Sequence, residues 1–379
     1  EGFTFRYSYT NAVYKIPVDG SLVIPIYYNR NSYTLTTTSS YGGYVSGKGT
    51  FRYGAEVTVK ATPYDGYIFN GWSIDNKVVS TEEEYTFTLM GDTTIKATWT
   101  ARTDMPYIIG YYLQNIENDQ YTPCYEEEVK GVGTTGERIN AEIKTFEGFY
   151  HVIGKGSSGV ISGTGTTVIM VYYNRNTFKI EATATPQGYG SVSGAGEFRY
   201  GASKSLYATE NPGYTFDGWY LNDELVSEEK RIDLEIKEAQ SYVAKFSKRN
   251  DVKYTVEYYL QHIYKSYPNY TVTYPAYESF KEEYTGTTGD YILIGDQPTD
   301  THAIKGIEGY RFDTSNSNNK LSGYIKGDGS LVLKLYYSLR TYRTVVSNSN
   351  ESAGTIEKIS KYFPHGLTLT LSATPNNGY

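Results

Sequence analysis

The stretch YTLTTTSSYGGYVSGKGTFRYGAEVTVKATPYDGYIFNGW, residues 33–72, decides how the whole chain is organised, because it is repeated. It returns as FKIEATATPQGYGSVSGAGEFRYGASKSLYATENPGYTFDGW at residues 178–219, and its first part returns again over residues 343–379. Self-similarity of this kind is the sequence signature of a tandem array, in which each repeat folds as one small unit. We name this repeat unit B.

A second repeated segment, unit A, lies between the B units. It opens with MPYIIGYYLQ at residues 105–114 and with KYTVEYYLQ at residues 253–261. It closes with GSLVIPIYYNR at 20–30, GTTVIMVYYNR at 165–175 and GSLVLKLYYSLR at 329–340. The predicted units are, in order, the end of an A unit (1–31), a B unit (32–101), an A unit (102–176), a B unit (177–249), an A unit (250–341) and the start of a B unit (342–379). Because both ends of the sequence lie inside a unit, we expect it to be part of a longer array.

The composition predicts β-structure. Tyrosine occurs 43 times and glycine 38 times, whereas methionine occurs 3 times; tyrosine, like the β-branched residues, favours strands. In EVTVKA, residues 56–61, Val57 and Val59 share one face while polar side chains share the other, as in a half-buried strand. Residues 84–89 and 93–99 alternate in the same way. We therefore expect unit B to be all-β or nearly so.

Unit A is expected to contain one helix. Residues 107–113 and the apolar run 168–173 are predicted strands, the second of them central in its sheet. Between them, residues 138–146 have Ile139 and Ile143 four positions apart, which is the spacing of one helix face. The order β-β-α-β-β predicts a β-grasp-like α+β unit. The fold class is thus mostly β, as an elongated string of small domains.

A repeated Gly-Tyr-x-Phe-x-Gly-Trp segment is the predicted core of unit B. Units of about 70 residues are near the lower limit for an independent core, and each aromatic side chain buries on the order of 150–250 Å². The alternative is an aromatic platform that faces solvent and binds a ligand. The predicted core residues are Tyr67, Phe69 and Trp72 in the first B unit, and Tyr214, Phe216 and Trp219 in the second.

These residues also carry a family resemblance. The segment YGAEVTVKATPYDGYIFNGW, closed by TFTLMGDTTIKATW, resembles the divergent internalin-type B repeat of bacterial surface proteins. Unit A, with YYLQ, a Thr-Gly turn and a closing V-x-x-Y-Y, is similar to the mucin-binding-protein repeat. The resemblance implies an extracellular protein of a Gram-positive bacterium, attached to the cell wall or assembled in filaments. It carries no catalytic residues to transfer.

The sequence argues against several classes of function. The formal net charge of −7 and the absence of a long basic cluster disfavour nucleic acid as a partner. No apolar run approaches the roughly 18–20 residues of a membrane span. None of the four histidines recurs between repeats, and Cys124 is the only cysteine. We predict no catalytic site, no metal site and no cofactor.

One motif formally contradicts that prediction. GVGTTG, residues 131–136, matches the G-x-G-x-x-G pattern that cradles a pyrophosphate in dinucleotide-binding folds. Its internal counterpart is YTGTTG, residues 284–289, in which the first glycine is replaced by tyrosine. Both copies keep only GTTG, so we interpret the motif as a turn that needs backbone freedom.

Two functional hypotheses remain. The first is a stalk or filament segment of an adhesin-like protein, whose partners are the neighbouring repeats of the chain. The second is a binding module in which exposed tyrosines of unit A contact host glycans, mucin or another cell-surface protein, since tyrosine buries a large area with little flexibility. The candidate contact residues are Tyr121, Tyr125, Tyr267 and Tyr270.

Overall fold

The computed structural model describes residues 1–6 and 13–378. Within these residues the chain is built from short β-strands and contains no α-helix; one single-turn 3-10 helix, Tyr125–Glu127, is present. Two compact halves are distinguished: residues 1–177 with 199–201, and residues 178–198 with 202–379. The described residues include no helix of the length and apolarity needed to cross a membrane.

The first half begins with the end of an A unit and a complete B unit. In the former, one antiparallel pair is formed by β1 (Phe3–Arg6) and β2 (Tyr27–Arg30). The B unit has two sheets, in the orders β5-β3-β10-β7-β8 and β4-β6-β9. Its strands are β3 (Ser32–Ser39), β4 (Gly43–Ser46), β5 (Gly49–Arg52), β6 (Ala55–Pro63), β7 (Tyr67–Ile74), β8 (Lys77–Ser80), β9 (Glu84–Leu89) and β10 (Thr93–Ala101).

The alternation in the B sequence explains its core. Val57 and Val59 point inward from β6, and fully buried Trp72 on β7 packs with them. Asp75 and Asn76 form the two-residue turn between β7 and β8 with φ of 50° and 63°, the positive values that tight hairpins require. The expectation of an all-β unit is confirmed.

The A unit of the first half follows. Its main sheet has the order β12-β11-β17-β15, with β13 also paired to β11, and β14 pairs with β16. The parallel strands β11 and β17 are central and bury Ile109, Tyr111, Ile169, Val171 and Tyr173. The strands are β11 (Met105–Gln114), β12 (Tyr121–Pro123), β13 (Val129–Gly133), β14 (Arg138–Asn140), β15 (Phe149–Gly156), β16 (Ser158–Val160) and β17 (Thr167–Arg175).

The prediction of a helix at residues 138–146 was wrong. Residues 138–140 form β14, and no regular element follows before β15. Ile139 and Ala141 both pack against the core, whereas Ile143 is exposed. The buried positions therefore follow the period of two of a strand, and the α+β description of unit A is replaced by an all-β one.

The second half repeats this plan. Its B unit has sheets in the orders β20-β18-β25-β22-β23 and β19-β21-β24, matching the first B unit strand for strand. The strands are β18 (Thr177–Thr185), β19 (Gly190–Ser193), β20 (Gly196–Arg199), β21 (Ser203–Glu210), β22 (Tyr214–Leu221), β23 (Glu224–Ser227), β24 (Arg231–Glu235) and β25 (Gln240–Lys248).

The remaining A unit has a main sheet in the order β29-β26-β34-β32 and two smaller sheets, β27-β28 and β31-β30-β33. Its strands are β26 (Val252–Leu260), β27 (His262–Tyr264), β28 (Thr271–Thr273), β29 (Phe280–Gly286), β30 (Tyr291–Gly295), β31 (His302–Ala303), β32 (Tyr310–Phe312), β33 (Ser322–Tyr324) and β34 (Val332–Leu339). The start of a B unit follows as β35 (Thr341–Val346), β36 (Gly354–Ile356), β37 (Ile359–Pro364) and β38 (Ala373–Pro375).

Candidate functional site: the joints between units

Each passage from a B unit to an A unit runs through one arginine. The Arg102 N–H donates to the carbonyl of Gly66 in the B unit at 2.8 Å, and the Arg102 carbonyl accepts from Thr135 N–H in the A unit at 2.9 Å. In the second half, Arg249 makes the same two bonds, to Gly213 at 2.9 Å and from Thr288 at 3.0 Å. A single linker residue is thus hydrogen-bonded to both units that it joins.

Glycine permits the close contact at this joint. A Cβ added at Gly163 would lie far closer to the carbonyl oxygen of Asp65 than 3.0 Å, the distance below which real Cβ atoms essentially never approach. Gly327 faces the Pro212 carbonyl in the same way. Since atoms at both sites are backbone, neither neighbour can swing aside. The two units can touch here only because the side chain is missing.

The GTTG motif supplies the A-unit side of the joint. Thr135 and Thr288 are the second threonines of its two copies. The buried Thr288 hydroxyl also donates to the Gly213 carbonyl at 2.7 Å. The segment that imitates a nucleotide fingerprint is therefore the part of unit A that docks onto the preceding B unit.

Each linker arginine is held by a neighbouring aspartate. The Arg102 guanidinium donates to both carboxylate oxygens of Asp104, at 2.9 and 2.7 Å. Arg249 and Asp251 repeat this fork at 2.8 and 2.7 Å. The hydrogen bonds from arginine lower the pKa of each aspartate. Because these pairs are exposed to solvent, their contribution to stability is small, and their role is to hold the linker side chain.

Each passage from an A unit to a B unit uses the same arrangement. The Asn31 N–H donates to the Gly2 carbonyl at 2.9 Å, and the Asn31 carbonyl accepts from Tyr53 N–H at 2.8 Å. The corresponding bonds join Asn176 to Gly148 and Tyr200, both at 2.8 Å, and Arg340 to Gly309 and His365, at 2.9 and 2.7 Å. All five joints in the described residues therefore follow one rule.

Aromatic rings cover the glycines of these joints. Gly2, Gly148 and Gly309 have φ of 74°, 77° and 74°, values at which a side chain is strained. A Cβ at any of them would also collide with the ring that covers it, which is Tyr53, Tyr200 or His365 respectively. The repeated FRYG motif is explained by this contact, since its tyrosine is the covering ring.

The arginine of FRYG fastens a loop in the first half. The Arg199 guanidinium donates to the carbonyls of Asn115, Ile116 and Asn118, at 3.3, 3.1 and 2.6 Å, and pairs with Asp119. Burial lowers the pKa of the neighbouring Arg175, and the charge of Arg199 lowers it further. The loop of residues 115–119 is therefore held by the arginine of the FRYG motif.

The candidate ligand tyrosines lie in different surroundings. Tyr121 on β12 is half-buried, and its ring packs edge-on against Tyr172 at 4.9 Å. Tyr125 is 76% exposed in the 3-10 helix. Tyr267 donates to Glu357 at 2.6 Å, in the B segment that follows it. Tyr270 is half-buried between β27 and β28.

The predicted core aromatics surround the two buried tryptophans. Trp72 and Trp219 are fully buried. Phe69 packs edge-on against Trp72 at 5.6 Å, and Phe216 against Trp219 at 6.0 Å. Tyr67 and Tyr214 are half-buried at the beginning of the same strands, β7 and β22.

One cluster of titratable groups occurs in the A unit of the second half. Glu282 accepts hydrogen bonds from Tyr258 at 2.9 Å and Tyr284 at 2.8 Å and pairs with Lys305. His302 Nε2 is hydrogen-bonded to the Tyr254 hydroxyl. Burial lowers the pKa of His302, and Glu282 partly offsets this effect. In the other A unit a glycine, Gly131, stands at the position of Tyr284, so the cluster is not repeated.

The described part of the chain contains no candidate metal site. Residues 1–6 and 13–378 contain no group of three or more His, Cys, Asp or Glu side chains placed to hold a metal ion. Cys124 is a half-buried free thiol packed against the A-unit core. The contacts that recur between the units are the hydrogen bonds of the linker residues at the joints.

Comparison with known proteins identifies one of the two unit types. Residues 33–103, 180–250 and 344–379 match the family model of the divergent InlB B-repeat domain. Three segments of the chain are thus similar to divergent InlB B-repeat domains. The three segments correspond to the units that we named B, and together they cover just under half of the chain. The A units lie outside these matches, so their similarity to mucin-binding repeats stays a prediction.

Solved structures give weaker similarities. The Bacillus anthracis TIE protein is 10% identical, with a TM-score of 0.32 over 83% of this chain and 70% of that one. The open conformation of the pilus adhesin SpaC from Lactobacillus rhamnosus GG is 7% identical, with a TM-score of 0.20 over 72% and 55%. No curated protein sequence matches the chain significantly. The similarity to a known family therefore rests on the three segments that match the B-repeat domain.

Proposed function

We propose that this chain is a non-catalytic segment of a bacterial surface protein and acts as a stalk. One observation carries the proposal: at all five joints in the described residues, a single linker residue donates its N–H to the unit before it and accepts from the unit after it. A linker fixed on both sides leaves little slack between neighbours. Small domains joined in this way form a quasi-one-dimensional array.

The five linkers also serve as proposed unit boundaries. They are Asn31, Arg102, Asn176, Arg249 and Arg340, each within two residues of a boundary expected from the repeats. We place the protein outside the cell, on the surface of a Gram-positive bacterium, because B-repeat domains are typical of such proteins. Neighbouring repeats are its first partners.

Small-angle X-ray scattering of the full chain tests the stalk directly. A compact domain of this length would have a radius of gyration of about 21 Å. Five units placed end to end would extend well over about 100 Å, since each has a radius of gyration of about 11 Å. The stalk predicts a radius of gyration above about 30 Å, and a value near 21 Å would refute it.

A second candidate is binding of host glycans, mucin or another surface protein by the A unit of residues 102–176. Its support is the position of Lys155, whose ammonium lies 4.3 Å from the ring centre of Tyr121 and 4.5 Å from that of Tyr172. In the other A unit, Lys334 lies 5.6 Å from the ring centre of Tyr259 and is paired with Glu257 at 3.6 Å. Among the described side chains, Lys155 has no such carboxylate partner and is available to an acidic ligand.

Glycan-array screening distinguishes the second candidate from the first. Binding that is lost in Lys155→Ala and Tyr121→Ala, with Lys334→Ala as the matched control, would support a ligand site beside the stalk. An array without any bound glycan would remove glycans as the ligand and leave the stalk proposal unaffected.

A further inference from the structure

The first and the last strand are neighbours and run parallel to each other in each of the four units that are complete in this sequence. These strands are β3 with β10 and β18 with β25 in the B units, and β11 with β17 and β26 with β34 in the A units. The two unit types differ in their other strands. We call the parallel first and last strands of a unit its terminal pair, and all four units share it.

The chain enters and leaves each unit through this terminal pair. Strand β10 ends at Ala101, the linker is Arg102, and β11 begins at Met105. At the next joint, β17 ends at Arg175, and the linker Asn176 leads directly into β18. A pull on the two ends of the chain would therefore act on the first and the last strand of a unit. The strands between them would carry no tension while the terminal pair holds.

The parallel direction decides how the terminal pair would respond to a pull. Because the two strands are parallel, the start of the first strand and the end of the last strand lie at opposite ends of the pair. Pulled apart along their axes, the strands must slide past each other, so the hydrogen bonds between them are strained together. These bonds are evenly spaced along a parallel pair. Strands that are peeled apart from one end lose the same bonds one after another.

Each terminal pair is also shielded from water. Both of its strands lie in the interior of their sheet, because each has another strand on its outer side. Side chains of the terminal pairs are fully buried, such as Leu35 and Ile95 in a B unit and Tyr111 and Val171 in an A unit. Water therefore cannot replace the strained hydrogen bonds until the two strands have separated.

We propose that this protein bears tensile force, and that the terminal pair is the mechanical clamp of each complete unit. The loop of residues 115–119 lies off the path of the force and can vary without weakening the clamp. The clamp goes beyond the stalk proposal and does not depend on it, because it lies within single units. A flexible string of units would also show it, and X-ray scattering tests only the arrangement between units.

Single-molecule force spectroscopy of the full chain tests the clamp by changing only the direction of the pull. The handles are attached through cysteines, so the native thiol is first removed by Cys124→Ser. Handles at Thr103→Cys and Thr177→Cys lie before β11 and after β17, and they shear the terminal pair. Handles at Glu117→Cys and Thr177→Cys lie at the same end of both strands, and they peel the pair apart. All three attachment sites are exposed.

The unit should resist shear much better than peeling. At the same pulling speed, we expect the force that unfolds it to be at least threefold higher in the shear direction. Forced unfolding is governed by the unfolding rate, and the same folded unit is pulled in both directions, so a difference in its stability cannot produce this result. Unfolding in shear should release roughly 200–250 Å of chain, which is residues 103–177 at about 3.3–3.6 Å per residue less the folded length.

The A unit of residues 250–341 provides an independent repeat of the experiment. Asn250→Cys with Thr341→Cys shears its terminal pair, and His262→Cys with Thr341→Cys peels it. Thermal unfolding followed by circular dichroism should give the same midpoint for the shear and the peeling variant of each unit. Equal unfolding forces in the two directions would overturn the proposal. A first event in shear that releases much less chain than a whole unit would also overturn it, since the force would then act on other strands.

Discussion

Replacing Gly163 by alanine should open the joint between the first B unit and the A unit that follows. The added Cβ would lie 1.8 Å from the Asp65 carbonyl oxygen, which would have to withdraw by roughly 1.6 Å or more to reach ordinary van der Waals contact at 3.4 Å. Gly163 has no positive φ, so the substitution strains no backbone angle by itself. Its whole effect falls on the contact between units.

The expected change in the free energy of opening the joint follows from the hydrogen bonds that the joint contains. The joint contributes two backbone hydrogen bonds through Arg102, which are worth about 0.5–1.5 kcal/mol each. Overpacking costs about 1–3 kcal/mol, so the steric cost is about as large as the stabilisation from these two hydrogen bonds. A change of about 1–3 kcal/mol corresponds to a roughly 5–150-fold change in an equilibrium. The joint should therefore open much more often in the variant.

Amide hydrogen exchange measures this opening residue by residue. The amides of Arg102 and Thr135 should exchange about ten to a hundred times faster in Gly163→Ala, while core amides such as that of Val171 keep their protection. Gly91→Ala is the control, because it lies in open space at ordinary φ. Unchanged exchange at Arg102 and Thr135, or an equal loss of protection in the core, would show that the contact at Gly163 does not control opening of the joint.

The other predictions concern one unit each. Leu206→Ala should destabilise the second B unit by about 2–5 kcal/mol, measured as unfolding at a lower urea concentration that is followed through the amides of this unit. The exposed control Leu225→Ala should change its stability by less than about 0.5 kcal/mol. Arg199→Ala should release the loop of residues 115–119 and speed proteolysis of this loop at least tenfold, since hydrogen bonds to a charged group contribute about 1.5–3 kcal/mol. Arg52→Ala, at the equivalent exposed position, should leave the rate of proteolysis unchanged. His302 has a lowered pKa in the folded chain. Its contribution to the free energy of unfolding is therefore fully present above its unfolded pKa of about 6.5 and is lost as the pH falls through its folded pKa. His302→Gln should flatten this pH dependence of the free energy of unfolding.

The sequence was enough to predict that the B segments are all-β, because their strands alternate and their turns carry Gly or Asn-Asp pairs. The repeated GTTG and FRYG motifs were recognised as parts of a repeat. Their roles in docking neighbours could not be predicted, because Thr135 and Tyr200 act on residues far away in the sequence. Repetition indicates that a residue is needed and does not indicate which surface needs it.

The error in unit A has a physical cause. Ile139 and Ile143 are equally compatible with a helix face and with alternate positions of an extended chain, and only the pairing of β14 with β16 decides between them. That pairing depends on residues almost twenty positions away. The candidate ligand tyrosines show the same limit: Tyr267 lies against the next B segment, a contact that no local pattern indicates.

We propose that single linker residues hold neighbouring units in fixed relation. Residual dipolar couplings of the amides on either side of Arg102, measured in a weakly aligned sample of the full chain, test it most directly. A rigid joint at Arg102 predicts one common alignment tensor for residues 32–101 and 102–176. Tensors that differ severalfold in magnitude between the two units would show that they reorient independently, and would contradict it.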